Sequence, residues 1–167
     1  MPFILSTIKY TNNAVLIPMK KIVYIDMDNV LVDFESGLRK VEPYTLDKYK
    51  GNYDEIPGLF SYMEPMAGAI EAVHKLAEKY DLYILSTAPW NNPIAWAEKR
   101  IWVGRYLDDI FHKRLIISHC KNLCEGDYLI DDREKNGAAE FKGELIAFGS
   151  EKYPDWNSVV NYLMSKE

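Results

Sequence analysis

From Lys21 onward, short apolar runs alternate with stretches whose apolar residues recur every three or four positions. That alternation predicts βαβ units wound around a parallel sheet, an α/β fold. Ile22 to Ile25, a β-branched and aromatic run between two lysines and an acidic turn, predicts a first strand buried on both faces. Leu82 to Leu85, Leu115 to Ile117, Tyr128 to Ile130 and Leu145 to Phe148 predict four more. Ala69, Ile70, Val73, Leu76 and Ala77 have helical spacing, with Pro65 placed to start that helix and Asp81 beyond its end. A second helix is expected from Pro93 through Ala95, Ala97, Ile101 and Val103, with Gly104 near its end, and a last one over about Trp156 to Leu163.

Two stretches break this rhythm. Between Phe34 and Glu64, Tyr44, Tyr49, Tyr53, Phe60 and Tyr62 are interleaved with Lys, Asp, Pro and Gly, and no sheet element emerges. An insertion over about 35–64, just after the first strand, would lie over the crevice where open α/β sheets bind ligands and could form a small cap. Residues 1–18 read as an N-terminal extension, in which Phe3 to Tyr10 and Ala14 to Ile17 flank Thr11-Asn12-Asn13 as a hairpin would. Residues 19–167 then form one domain, starting at Met19-Lys20-Lys21.

Composition narrows the class. A chain of 167 residues, 48% hydrophobic and 27% charged, can bury a core without staples and is expected to be an ordinary folded domain. The net charge of -5 supplies no electrostatic footprint for a nucleic acid polymer. No apolar run approaches the roughly 20 residues that span a bilayer, and the first residues lack the basic start and small-residue cleavage site of a signal peptide. With only Cys120 and Cys124 for thiols, a reducing cytoplasm is the expected setting. His112, His119, Cys120 and Cys124 are close in sequence, but they lack the paired short loops of structural zinc sites.

The candidate chemistry lies in two acidic clusters. Asp26 and Asp28 directly follow the first strand and, two residues apart, can project to the same side as the chain leaves the sheet. Asp131 and Asp132 follow the Tyr128 to Ile130 run, and in a parallel sheet both strand ends lie on one edge. Asp is also a common turn residue, so either pair alone carries little. Converging carboxylates raise one another's pKa unless a cation offsets the repulsion, and an oxygen-only donor set favours Mg2+. Ser86 and Thr87 end the Leu82 strand, where a hydroxyl and backbone N–H groups, Ala88 among them, could hold phosphate oxygens or simply cap a helix. Lys121, between the third and fourth strands, could neutralise a phosphate or be a solvated surface lysine.

The order Asp-x-Asp, Ser/Thr, Lys and Asp-Asp along successive strands resembles the haloacid dehalogenase superfamily, whose motifs would span Asp26 to Asp132. Within it, Asp26 to Phe34, Glu64 to Val73 and Tyr128 to Arg133 look like the 5'(3')-deoxyribonucleotidase family. The resemblance implies a Rossmann-like sheet flanked by helices and a phosphoric monoester hydrolase. In it Asp26 attacks phosphorus, while Asp28 first protonates the leaving sugar oxygen and then activates water. It also implies Mg2+ held by Asp26, the Asp28 backbone carbonyl and Asp132, with Asp131 behind them, and phosphoryl oxygens held by Thr87 and Lys121. The chain departs from the pattern at Asn29, where Gly is common, and at Ala88, where a second hydroxyl often follows the Thr.

The substrate implied is a small nucleotide. Phe34, Phe60 and Trp90 could line a slot for its base, Trp90 being in a Pro- and Asn-rich loop, while Phe34 and Phe60 could equally pack the cap on the core. Arg133 could reach a phosphate or sugar, or pair with a neighbouring aspartate. A sugar-phosphate phosphatase of the same mechanism and a silent phosphate-binding module are the competing readings. A homodimer is compatible with all three.

Overall fold

The computed structural model describes residues 19–167, so the hairpin expected within 1–18 lies outside the described residues. The chain enters through β1 (Ile22–Ile25), followed by a two-residue strand β2 (Val32–Asp33), α1 (Phe34–Leu38) and α2 (Pro43–Lys48). A second two-residue strand, β3 (Glu64–Pro65), leads to α3 (Ala69–Ala77), β4 (Asp81–Ser86), α4 (Pro93–Tyr106) and α5 (Asp108–Phe111). After β5 (Leu115–Ile117) come β6 (Tyr128–Asp131), β7 (Glu144–Ala147) and α6 (Trp156–Ser165).

Five strands form one parallel sheet in the order β5-β4-β1-β6-β7. The order is that of a Rossmann-like sheet, with β1 at the point where the winding reverses, which is where open α/β sheets bind ligands beyond the strands' carboxyl ends. Successive residues in each strand feed different cores. Val23, Ile25, Leu82, Ile84, Ile130 and Ile146 join the larger apolar cluster, while Tyr24, Leu85 and Leu129 join a smaller one with Ala138 and Phe141. The buried apolar residues of α3, α4, α5 and α6 all belong to the larger cluster, so these helices gather on one face of the sheet.

Two element boundaries differ from expectation. Pro65 does not start α3; it pairs with Val32 in the β2–β3 ribbon, and the helix begins at Ala69 after Gly68, whose φ of 77° suits glycine. The last strand runs Glu144–Ala147, one residue early, because Gly149 turns the chain at φ 80°. Gly104 lies near the end of α4, as expected, two residues before Tyr106.

The insertion is helical. It leaves and returns through the antiparallel pairs Val32↔Pro65 and Asp33↔Glu64, and carries α1, α2 and two 3-10 turns at Tyr53–Glu55 and Leu59–Tyr62. Asp33 caps α1 by accepting from the Ser36 N–H at 3.1 Å. The Trp102 indole on α4 donates to the Met63 carbonyl at 3.1 Å, and the buried Asn92 amide donates to the Asp54 and Ile56 carbonyls. These bonds tie the insertion to the helix that follows β4. No helix among the described residues is long and apolar enough to cross a membrane.

Candidate active site

The turn after β1 is built to present two carboxylates. The N–H groups of Val30, Leu31 and Val32 converge on the Met27 carbonyl at 3.1, 2.9 and 2.9 Å, folding the chain back on itself within one residue of Asp28. The Trp156 indole of α6 pins this turn by donating to the Val30 carbonyl at 2.9 Å. The Asp26 N–H donates to the Ile130 carbonyl at 2.9 Å, so Asp26 is still in the sheet ladder when its side chain meets the end of β6.

There the carboxylates of Asp26, Asp131 and Asp132 approach to within 4.8 Å of one another. Buried Lys121 places its ammonium 3.0 Å from Asp26 Oδ1 and 2.5 Å from Asp131 Oδ2. The backbone N–H of Arg133 donates to Asp131 Oδ1 at 3.0 Å, so both Asp131 oxygens are engaged. Asp132 Oδ1 lies 3.5 Å from the Arg133 Nε, too far for a good hydrogen bond. Asp26 Oδ1 and Asp132 Oδ1 are buried with no hydrogen-bond partner, the Lys121 contact to Asp26 being an ion pair without donor alignment. Buried oxygens of Asp26 and Asp132 without a hydrogen-bond partner, in a cluster of three carboxylates within 4.8 Å of one another, fit a hard divalent cation, while both oxygens of Asp131 are already engaged by Lys121 and the Arg133 N–H.

Asp28 stands apart from that cluster. Its Oδ1 accepts from the Lys99 ammonium at 2.7 Å, and Lys99 also donates to Ser86 Oγ at 3.1 Å. Lys99 is fully buried on α4, its ammonium 4.8 Å from the Phe60 ring. The sequence reading did not include Lys99. Its spacing was the one available signal, since it falls four residues after Ala95 and three before Trp102, on the side of the helix that is buried.

The charges perturb one another as their burial dictates. Desolvation raises the pKa of Asp28, reinforced by Asp26 and opposed by Lys99. Burial, together with the charge of Asp26, pushes Asp131 up to about 6 despite Lys121. Asp132 is raised by burial and by Asp26, against Arg133 and the Asn29 amide. For Lys121 burial disfavours the charge, but Asp26 and Asp131 outweigh it and the pKa is raised. A divalent cation would relieve the repulsion that these carboxylates share.

Among the other expected residues, Thr87 lines the narrow slot bordered by Asp26, Asp28, Lys121, Asp131 and Arg133, and its hydroxyl donates to the Ser118 carbonyl at 2.8 Å. Ser86 is fully buried beneath Lys99, and Ala88 is buried beside Thr87. A second cavity of about 260 Å³ opens from Asp28 and Asn29 between Phe34, Tyr53, Asp54 and Arg133. Phe34 thus borders the open space, whereas Phe60 is 2% exposed and packs edge-on against Phe34 at 6.2 Å. Trp90 is not brought to this cavity. It is 78% exposed and stacks edge-on against His119 at 5.7 Å. Tyr53, unassigned beforehand, occupies the wall where an aromatic was expected.

A Rossmann-like sheet with an Asp-x-Asp turn, a hydroxyl, a lysine and an Asp-Asp pair on one edge defines a haloacid dehalogenase-type hydrolase. The fold of the candidate haloacid dehalogenase-type hydrolase YfnB of Bacillus subtilis, solved bound to magnesium, agrees, with a TM-score of 0.53 at 13% identity, covering 87% of this chain and 99% of that one. Residues 41–158 match the family described as 5' nucleotidase, deoxy (pyrimidine), cytosolic type C protein. The chain is 58% identical over 147 residues to a candidate 5'(3')-deoxyribonucleotidase of Vibrio phage KVP40, covering 88% of this chain and 86% of the relative. It is 28% identical over 170 residues to the human cytosolic-type 5'(3')-deoxyribonucleotidase, covering 83% and 78%. The chain belongs to this 5'(3')-deoxyribonucleotidase family within the haloacid dehalogenase superfamily, and is a phosphoric monoester hydrolase.

Proposed function

We propose that the chain hydrolyses deoxyribonucleoside monophosphates to nucleoside and phosphate through an aspartyl-phosphate on Asp26. Asp26 attacks phosphorus as the ester oxygen leaves, and Asp28 gives that oxygen its proton. Asp28 then takes a proton from water, which attacks the phosphorus and releases Asp26. The supporting observation is the separation of the two carboxylates: Asp26 belongs to the cation cluster, whereas Asp28 is held by Lys99 outside it. The raised pKa of Asp28 suits a group that must carry a proton in one step and lose it in the next. Lys121, Thr87 and Arg133 line the slot where the phosphoryl oxygens would rest.

Mg2+ is the cation that the carboxylate oxygens of Asp26 and Asp132 fit, the Asp28 carbonyl joining them by the family resemblance, and when bound it would supply charge stabilisation for the transferring phosphoryl group. The four carboxylates are met by Lys99, Lys121 and Arg133, with Lys135 also lining the slot, so a divalent ion adds the positive charge that a phosphate dianion needs to enter. The helical insertion acts as the cap, and its Tyr53 and Asp54, with Phe34, form the base-binding wall.

The deciding measurement is kcat/KM with Mg2+ for dUMP, dTMP and dGMP against UMP, GMP and simple sugar phosphates. Deoxynucleotides should lead, although discrimination against one added hydroxyl is typically only ~100-fold. Replacing Tyr53 by Ala should cost about 1–3 kcal/mol for nucleotides if the ring stacks on the base, and much less for a baseless phosphate. A sugar phosphate outperforming every deoxynucleotide would overturn the substrate assignment while leaving the phosphatase chemistry in place.

A further inference from the structure

Asn29 is one of three non-glycine residues with positive φ among the described residues, at 58°. Its backbone is held there by its N–H, which donates to the Val32 carbonyl at 2.8 Å. Glycine would meet this backbone requirement without strain, whereas an L side chain at such an angle is tolerated best when it is Asn or Asp. The side chain therefore has to be explained by what it touches. Its amide Nδ2 donates to Asp132 Oδ2 at 3.2 Å, across the gap between the ends of β1 and β6. The other oxygen of that carboxylate, Oδ1, is buried without a hydrogen-bond partner, 3.5 Å from the Arg133 Nε.

We infer that Asn29 is a positioning residue for the divalent cation: its amide occupies one oxygen of Asp132 and so presents the other to the ion beside Asp26. The carboxylate has two equivalent oxygens and a freely rotating terminal torsion, and a single fixed donor on one of them removes that freedom before the ion arrives. A donor also suits the charged form, which is the one a cation needs. The Asn29 side chain thus adds a hydrogen bond at a backbone angle that glycine would also accept. The inference rests on the reading of Asp26 and Asp132 as cation ligands, so the test separates the two.

Mn2+ binding to the substrate-free full chain, followed by the EPR signal of free Mn2+, reads the site without turnover. Wild-type protein should bind one ion and the Asp132→Asn variant should lose it; wild-type protein that binds none would sink both the cation reading and this inference. Asn29→Gly keeps the backbone angle accessible and deletes only the amide, and it should weaken Mn2+ about tenfold. The Mg2+ concentration giving half-maximal activity should rise by a similar factor, while kcat at saturating Mg2+ falls less than about threefold. Asn29→Ala, which loses the same amide but strains the turn, should weaken the ion at least as much and also lower the melting temperature of the metal-free protein. Wild-type affinity in Asn29→Gly would overturn the inference and leave the cation ligands intact. A loss in kcat at saturating Mg2+ with unchanged Mn2+ affinity would overturn it too.

Discussion

Replacing Lys99 by Met tests the least expected element of the site. The side chain is fully buried, of similar length to Met, and carries its charge 2.7 Å from Asp28 Oδ1 and 3.1 Å from Ser86 Oγ. The variant leaves Asp28 buried without its directly paired ammonium, a loss that typically costs about 3–5 kcal/mol when one partner of a buried pair is removed. Proton uptake by Asp28 sets a ceiling on that cost. At pH 7, protonating a carboxyl of ordinary pKa 3.8 takes about 4 kcal/mol, at about 1.4 kcal/mol for each pH unit. The penalty must therefore depend on pH. Removing Lys99 raises the folded-state pKa of Asp28 further, so over the interval where only the variant's native state holds the proton, its stability falls with rising pH relative to wild type. Urea denaturation of EDTA-treated protein should show a destabilisation near 3–4 kcal/mol at pH 7 and clearly less at pH 5.5. The alkaline limb of kcat/KM, where Asp28 loses the proton needed by the leaving group, should move to higher pH. A pH-independent loss, or one under about 1 kcal/mol at pH 7, would refute the claim that Lys99 holds the Asp28 charge.

Two further substitutions probe the chemistry and the scaffold separately. Asp26→Asn should abolish turnover with the circular dichroism spectrum unchanged, since an amide cannot accept the phosphoryl group; a tenth or more of wild-type kcat, after control for deamidation, would exclude the covalent route. The same variant should let Asp131, held at about 6 by burial and by the Asp26 charge, titrate lower in an NMR carbonyl titration. Gly143→Ala should destabilise by at least about 2 kcal/mol in urea, because its Cβ would lie 2.5 Å from the Gly126 carbonyl oxygen and 2.6 Å from that of Asp127. These contacts lie at the amino ends of β6 and β7, so kcat of the folded variant should stay near wild type, and a large kcat loss would count against the placing of the site at the opposite edge.

Much of this protein can be read from the order of its residues because the relevant signals are local. A run such as Ile22–Ile25 declares a strand through residues that are neighbours in sequence, and the period of Ala69, Val73 and Leu76 declares a helix in the same way. Asp26, Asp28, Asp131 and Asp132 stand at or just beyond strand ends, so once the sheet is parallel their convergence on one edge is forced. The limits are equally physical. Pro65 looked like a helix start because proline satisfies the backbone in the first turn as readily as in a short ribbon, and only the distant Val32 decides between them. Trp90 was drawn toward the cavity on paper by its nearness to Thr87, yet in space His119, from the loop after β5, takes its ring. Lys99 and Asn29 show the same division. A lysine at helical spacing from Ala95 and Trp102 and an asparagine just after a strand are both visible in the chain, but their partners Asp28 and Asp132 lie 71 and 103 positions away. Periodicity and turn chemistry are near-neighbour properties, written directly in the sequence. Which charge meets which is settled only when the sheet closes, because burial strengthens a pairing that the unfolded chain in water would scarcely register.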